Sequence, residues 1–517
     1  MAWNEKESRR RVREFIQQSP KVSGPLPDFT GGSLRTRQRE LRETAKASSD
    51  AGPLDRLSAS TALIVDGVHV YVRLVGFDDQ LMEDAKETER AHSRALSFLH
   101  FYYSMFDRIV EEGGGVRIDF HSARMHFVVV EPVGRQHVLE RINKALAITQ
   151  ALEDAASLAP VAIRGVATQS PLRIGMDEGP CIAIANDRGH EMDPVFLGTP
   201  ANLAAKLTGG YEPGLYLSPA VSGQLGLPSF GGEIAGLAPA PSDLRVGVKS
   251  ASDPLAHRVV NNWVRQRNEG LVTGAAPNFS FRRVTPPLSN VRFNELSPSN
   301  SIRMEMGAVF ADIDQFTAYV DRSMREGNAA DVVQTMFVLR EEQRAVLKAD
   351  CGAKRLRFIG DCVVGLIAEG TAAQTNPAKT VEAAALCAAA LHGSLAVCRD
   401  EMLGARTLGL QVGVGYGPTP VTRLGLRGDM SVRCASSKAI IDAERQQGIA
   451  EAGETAFSDA AVEVSSRVGK ITESKRNSTR ASYAALSAVL NAAPVSLPPA
   501  PVASLQTYRS PPAHQSK

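Results

Sequence analysis

Val309-Phe310-Ala311-Asp312-Ile313-Asp314-Gln315-Phe316-Thr317 is an apolar run that ends in aspartate, and 49 residues after Asp312 a second aspartate follows in Arg357-Phe358-Ile359-Gly360-Asp361. Asp361 lies at a Gly-Asp turn between two apolar runs, Arg355 to Ile359 and Cys362 to Ile367, which reads as a hairpin. Carboxylates delivered from neighbouring strand ends can hold two divalent ions, and ions about 3.5 to 4 Å apart serve phosphoryl chemistry. Asp is also a common helix cap and turn residue, but the Phe316-Thr317 and Gly360 companions favour metal binding. The pattern predicts a nucleotide-transforming enzyme.

Composition bounds the alternatives. A chain of 517 residues, 43% apolar and 22% charged, is ordinary globular material with a prior of two or three domains. A net charge of +2 gives no case for a nucleic-acid surface. The six cysteines show no C-x-x-C spacing, so they read as small buried hydrophobes in a reducing compartment rather than as a zinc site or disulfide framework. No stretch approaches the roughly 18 apolar residues of a membrane span, and Asn4-Glu5-Lys6-Glu7 does not open an export signal. The expectation is a cytoplasmic enzyme with no membrane partner.

Residues 1–58 are polar, with a basic Arg9-Arg10-Arg11-Val12-Arg13 cluster, and read as a solvated short helix and a flexible leader. Residues 59–260 alternate strands (Ala62 to Val65, Val116 to Phe120, Met125 to Val130, Leu172 to Met176) with helices (Glu87 to Glu112, Val138 to Leu158), the signature of an α/β sandwich. Residues 261–300 are rich in Pro, Ser and Asn and read as a linker. A second unit over 301–490 follows with strands Met304 to Ala311 and Leu408 to Val414, the hairpin, and helices Ala329 to Lys348 and Thr380 to Cys398. The Pro-rich tail 491–517 is expected to be disordered.

The two units repeat one plan. Each has a strand with aspartate (Val65-Asp66; Ala311-Asp312), a helix, a hairpin, a second helix and a G-x-x-x-G-P strand. Gly175 to Pro180 in the first unit answers Gly413 to Pro418 in the second. Recurrence in order marks an internal duplication.

These residues resemble the class III nucleotidyl cyclases, whose domains carry F-x-D-I-x-G-F-T, a Gly-Asp hairpin, R-I-G-I-x-x-G-P and V-N-x-A-A-R. Phe310 to Ile313, Phe316-Thr317, Gly360-Asp361 and Gly413 to Pro418 match in the C-terminal copy; Arg173 to Pro180 and Ala201 to Lys206 match in the N-terminal copy. The resemblance implies two tandem ferredoxin-like cyclase domains, with the active site between them. Asp312 and Asp361, with the Ile313 carbonyl, would hold two Mg²⁺ or Mn²⁺. Asn202 and Lys206 would come from the other copy, Lys206 standing where the family has arginine, although four-residue spacing also fits one solvated helical face. Backbone groups of Asp314, Gln315, Phe316 and Thr317 would bind phosphates. The C-terminal copy offers Ser437 and Ile441 where its own Asn and Arg should stand, and the N-terminal hairpin turn, Phe120-His121-Ser122, has no metal aspartate. One composite site per domain pair follows, formed within a chain or swapped in a homodimer. His121 reads as a turn residue, and Asp66 as either a leftover metal position or a strand-end cap.

Purine-selective members use a lysine and an aspartate at places that here read Ile118 and Val195, within one residue. Arg357 falls at the lysine-equivalent place of the C-terminal copy, for a nucleotide contact or a carboxylate pair. The absence of purine contacts makes the chain similar to the pyrimidine cyclases of bacterial Pycsar anti-phage defence, implying UTP as substrate, cyclic UMP as product and a messenger-activated effector as partner. Cytidylate, adenylate or guanylate cyclase, and a catalytically dead nucleotide-sensing protein, remain open alternatives. The absence of a G-G-D-E-F run disfavours a diguanylate cyclase.

Overall fold

The computed structural model describes residues 2–20, 26, 28, 62–162, 170–185, 194–228, 240, 255–262, 265, 279–425, 431–473 and 476–490. The tail 491–517 and most of the stretch 21–61 lie outside the described residues. Two sheets built on one topology carry the fold. In the first, β1 (Leu63–Leu74) lies between β3 (Arg124–Val129) and β4 (Leu172–Ala185); β2 (Val116–His121) flanks β3, while β5 (Pro194–Leu197) and β6 (Gly214–Leu217) pair with β4. In the second, β7 (Phe281–Arg283) is added beside β8 (Ser301–Asp314). There β8 lies between β10 (Cys362–Ile367) and β11 (Gly409–Leu424), β9 (Lys354–Ile359) flanks β10, and β12 (Val432–Ala435) and β13 (Glu454–Phe457) pair with β11. Pairing is antiparallel except for β4 with β6, β11 with β13 and β7 with β8.

The central strands are buried along most of their length, which is why β1 reads as a near-continuous Val-rich run rather than an alternating one. Helix α1 (Glu5–Gln18) precedes both sheets. The first sheet is covered by α2 (Glu89–Glu112), capped by the Thr88 side chain, and α3 (Val138–Ala162); a short helix α4 (Thr199–Leu207) follows β5. In the second unit α5 (Phe316–Arg325) follows β8, α6 (Ala329–Ala345) and α7 (Pro377–Glu401) back the sheet, and α8 (Lys438–Ile449) follows β12. The strands outrun their sequence-read ends because β4 and β11 continue as arms past their glycines.

Those arms interlock the copies. Ile182, Ile184, Val195 and Leu197 of β4 and β5 sit in the core of the C-terminal unit. Leu424, Val432 and Cys434 from the β11–β12 arm sit in the core of the N-terminal unit. Arg303 of β8 reinforces the contact by donating to His92 Nδ1 at 3.0 Å and to the Glu87 carbonyl at 3.0 Å.

Three expectations are corrected. The N-terminal helix is docked rather than solvated: α1 lies on α6 and α7, with Ser8, Arg11 and Val12 buried. Arg11 pairs with Glu342 at 2.8 Å and Asp350 at 2.7 Å, and Ser8 donates to Glu342 at 2.7 Å. The arginine cluster is thus split between an acidic groove and an outer face, which composition alone does not show. Residues 281–300 are not linker: β7 joins the sheet, and Leu288, Val291, Phe293 and Leu296 pack under β8. Lastly, α7 is long and apolar enough to cross a membrane by length and composition, at mean hydropathy 1.6, but 67% of that window is buried inside the protein; its alanines allow close packing in the core.

Two stability predictions follow from buried charge. Arg11→Ala leaves Glu342 without its main cation, and a loss of about 3 kcal/mol in urea unfolding is expected, with Arg11→Lys intermediate. Burial lowers the pKa of His69 to about 3 and of His100 and His392 to about 4. Each then binds its proton less readily folded than unfolded, so its contribution is complete above pH ~6.5 and is lost as pH falls toward 4. Unfolding free energies from urea titrations between pH 8 and 4 should fall in that window, by about 1.4 kcal/mol per pH unit for each withheld proton, and His392→Gln should flatten the slope.

Candidate active site

Asp312 occupies β8, and Asp361 the two-residue turn between β9 and β10, where Gly360 takes φ +60° and Cys362 pairs with Ile359. Glycine at the first turn position matches the type II′ hairpin that the right-handed strand twist prefers. The β10–β8 register, Val363 opposite Ala311, brings the two aspartates side by side in a cleft between the copies. The cleft is also lined by Phe316, Thr317 and Gly360 from the C-terminal copy and by Ala201, Asn202 and Ala205 from α4 of the N-terminal copy.

Helix α4 is fixed there by polar contacts with α5. The Thr199 amide donates to Asp321 at 3.1 Å, and the Asn202 amide donates to the Thr317 hydroxyl. Lys206 is exposed one turn further along, and its charge favours ionisation of both aspartates. The copies therefore meet within one chain. Gln315, at the turn into α5, has φ +64°, a left-handed conformation with a steric cost for a residue bearing Cβ.

Burial first, and the Asp314 charge second, raise the Asp312 pKa to about 6. Burial and then the Asp312 charge push Asp361 well above the ordinary carboxylate range, opposed by Arg340 and Lys206. Arg340 donates to the Gly360 carbonyl and so holds the turn. Among the described residues no group of three or more His, Cys, Asp or Glu converges as a ready cation site. What the cleft offers is a pair of mutually repelling hard-oxygen donors, both half-buried, a set suited to Mg²⁺ or Mn²⁺.

The glycine contacts correct the alignment of the copies. A Cβ on Gly175 would strike the Ala204 carbonyl, and one on Gly413 the Ala443 carbonyl, so Ala204 answers Ala443. Counting along α4 and α8, Asn202 corresponds to Ile441 and Lys206 to Arg445, not to Ser437 and Ile441. Since Gly175 pairs with Tyr71 and Gly413 with Phe310, the counterpart of Asp312 is Arg73, not Asp66. Gly76, at φ +75°, then answers Gln315. Asp66 is bound by Arg141 at 2.8 Å and Arg135 at 3.3 Å, a structural role. The N-terminal hairpin turns at Ser122-Ala123, between His121 and Arg124, so Ala123 stands where Asp361 does. His121 lies on the strand and faces Glu444 at 3.6 Å.

Ile118 and Val195 belong to apolar clusters; the cleft is lined one residue along, by Asp119 and Phe196, with Tyr71, His126 and Arg124. Arg357 is buried and pairs with Asp119 at 2.8 Å, and among the described residues it does not line the cleft. Sequence reasoning missed Tyr71 and Asp119. The signal was present in Tyr71-Val72-Arg73-Leu74-Val75-Gly76-Phe77, which keeps the aromatic, glycine and phenylalanine of the cyclase motif but replaces its aspartate.

No protein-family model matches the chain. It is 36% identical over 473 residues to a uridylate cyclase of a Rhizobium species, covering 89% of this chain and 90% of that protein. It is 35% identical over 422 residues to a uridylate cyclase of Pseudomonas aeruginosa, covering 80% of each. A crystal structure of a class III adenylyl cyclase-like ATP-binding protein from P. aeruginosa superposes with a TM-score of 0.81 at 30% identity, covering 95% of this chain and 100% of that one.

The aspartate repulsion has a measurable consequence. Burial and the Asp312 charge hold Asp361 well above the ordinary carboxylate range, so keeping it ionised at pH 8 opposes folding. Asp361→Asn should therefore melt higher than wild type in EDTA at pH 8 and lose the stabilisation that Mn²⁺ gives wild type; thermal unfolding with and without the ion measures both.

Proposed function

Since the chain belongs to the uridylate cyclases, within the class III nucleotidyl cyclases, we propose that it converts UTP to 3′,5′-cyclic UMP and pyrophosphate. The observation that carries this reading is the meeting of Asp312 and Asp361 with Asn202 in one cleft within one chain. Asp312 and Asp361, with the Ile313 carbonyl, would hold Mg²⁺ or Mn²⁺. Bound there, the ions supply a lowered pKa at the ribose 3′-hydroxyl and charge stabilisation at the departing pyrophosphate.

The chain's own groups do the rest. Amides of Asp314 to Thr317, where β8 gives way to α5, can bind terminal phosphate oxygens. Lys206 opposes negative charge growing on the α-phosphate, as a point charge that lacks the bidentate fork of arginine. Asn202, held by Thr317, orients the ribose or α-phosphate. Groups from both copies line the one cleft, so the ribose hydroxyl can be held in line with the α-phosphate for attack.

Arg445 and Ile441 opposite Arg73 and Ala123 leave the pseudo-symmetric position with neither paired carboxylates nor the amide, which supports one catalytic site per chain. The product is read as a second messenger for anti-phage defence, acting through a separate effector protein.

Mass spectrometry of products formed with Mn²⁺ from UTP, CTP, ATP and GTP, supplied separately, tests the reading. Cyclic UMP should dominate for wild type. Asp312→Ala and Asp361→Ala should lose it by about 1000-fold or more, and Lys206→Ala and Asn202→Ala by about 10- to 100-fold. A dominant cyclic AMP product, which the ATP-binding relative makes the outcome to watch for, would overturn it.

A further inference from the structure

Three strands of the N-terminal sheet place a row of side chains in the cleft. Asp119 of β2 is the cross-strand partner of His126 of β3, and His126 is the partner of Tyr71 of β1. Directly opposed residues share one face of a sheet with their Cβ atoms in reach of each other, and all three line the cleft. Tyr71 and His126 are stacked, with ring centroids 4.2 Å apart and planes 14° from parallel.

His126 is not free to choose its tautomer. Its Nε2 lies 3.1 Å from Nδ1 of His69, and the other nitrogen of His69, Nε2, is buried with no hydrogen-bond partner. Burial keeps both imidazoles neutral, so each carries one proton. Were His126 the donor, His69 would hold its proton on the buried Nε2, an orphaned N–H; orphaned donors are rarer in folded proteins than under-used lone pairs. His69 therefore donates, and His126 carries its proton on Nδ1, the nitrogen left for the cleft. Asp119, paired with Arg357 at 2.8 Å, is held as a carboxylate, a group that accepts and cannot donate.

We propose that these two residues select the base: His126 donates Nδ1–H to the C4 carbonyl of uracil, and Asp119 accepts the N3–H beside it. Uracil presents acceptor then donor along this edge. In the same pose cytosine presents an amino group to the His126 proton and an N3 lone pair to the carboxylate, so both contacts turn repulsive. The assignment rests on the reading of the cleft as a UTP site.

The test is the ratio of kcat/KM for UTP over CTP, measured with Mn²⁺ on the full chain. Asp119→Asn, whose amide can donate to cytosine N3, and His126→Phe, which keeps the ring but removes the donor, should each lower the ratio by about tenfold or more. His126→Gln, able to donate again, should recover part of it. For a variant without turnover, the affinity ratio for 3′-deoxy-UTP over 3′-deoxy-CTP gives the same readout. Equal losses for both nucleotides mean that the row is only structural, and the assignment fails while the proposed function stands. If wild type forms no cyclic UMP, both fail together.

Discussion

Two carboxylates placed side by side in a half-buried cleft repel each other, and much of the surrounding structure is arranged against that repulsion. Arg340 reaches under the hairpin to hold the Gly360 carbonyl, so the turn keeps Asp361 beside Asp312 although their charges favour separation. Arg340 also eases the charge on Asp361, but the cation that acts on Asp312 is Lys206. That charge comes from α4 of the other copy, and the polar contacts of α4 with α5 keep it there. An electrostatic fault in one half thus requires the other half.

Interlocked arms make that dependence mechanical. Because β4 and β5 enter one core while β11 and β12 enter the other, pulling the copies apart would expose apolar surface on both. The glycines that admit α4 against β4 and α8 against β11 set how closely each helix lies on its own sheet. Small errors there would be transmitted to the cleft as a whole.

The duplication and both aspartates are legible in the sequence because each depends on a short local pattern: a turn glycine, a flanking aromatic, an apolar run. Register is not. A Val-rich strand buried on both faces looks the same wherever one begins to count, and so the sequence pairs Asp66 with Asp312 while packing places Arg73 there. The same slip puts Ile118 and Val195 in the cleft instead of Asp119 and Phe196, since moving one residue along a strand reverses every side chain. The docked α1 is illegible for another reason. Its partners Glu342 and Asp350 lie more than 300 residues away, and no local pattern reports a contact made at that range.

The reciprocal exchange of arms also bears on how the enzyme's output is set. A cyclase whose halves sit on separate chains has an activity that scales with encounter, and assembly can serve as its switch. Here each half meets the other at a fixed effective concentration set by the chain itself. Dilution of the chain then does not part its two halves.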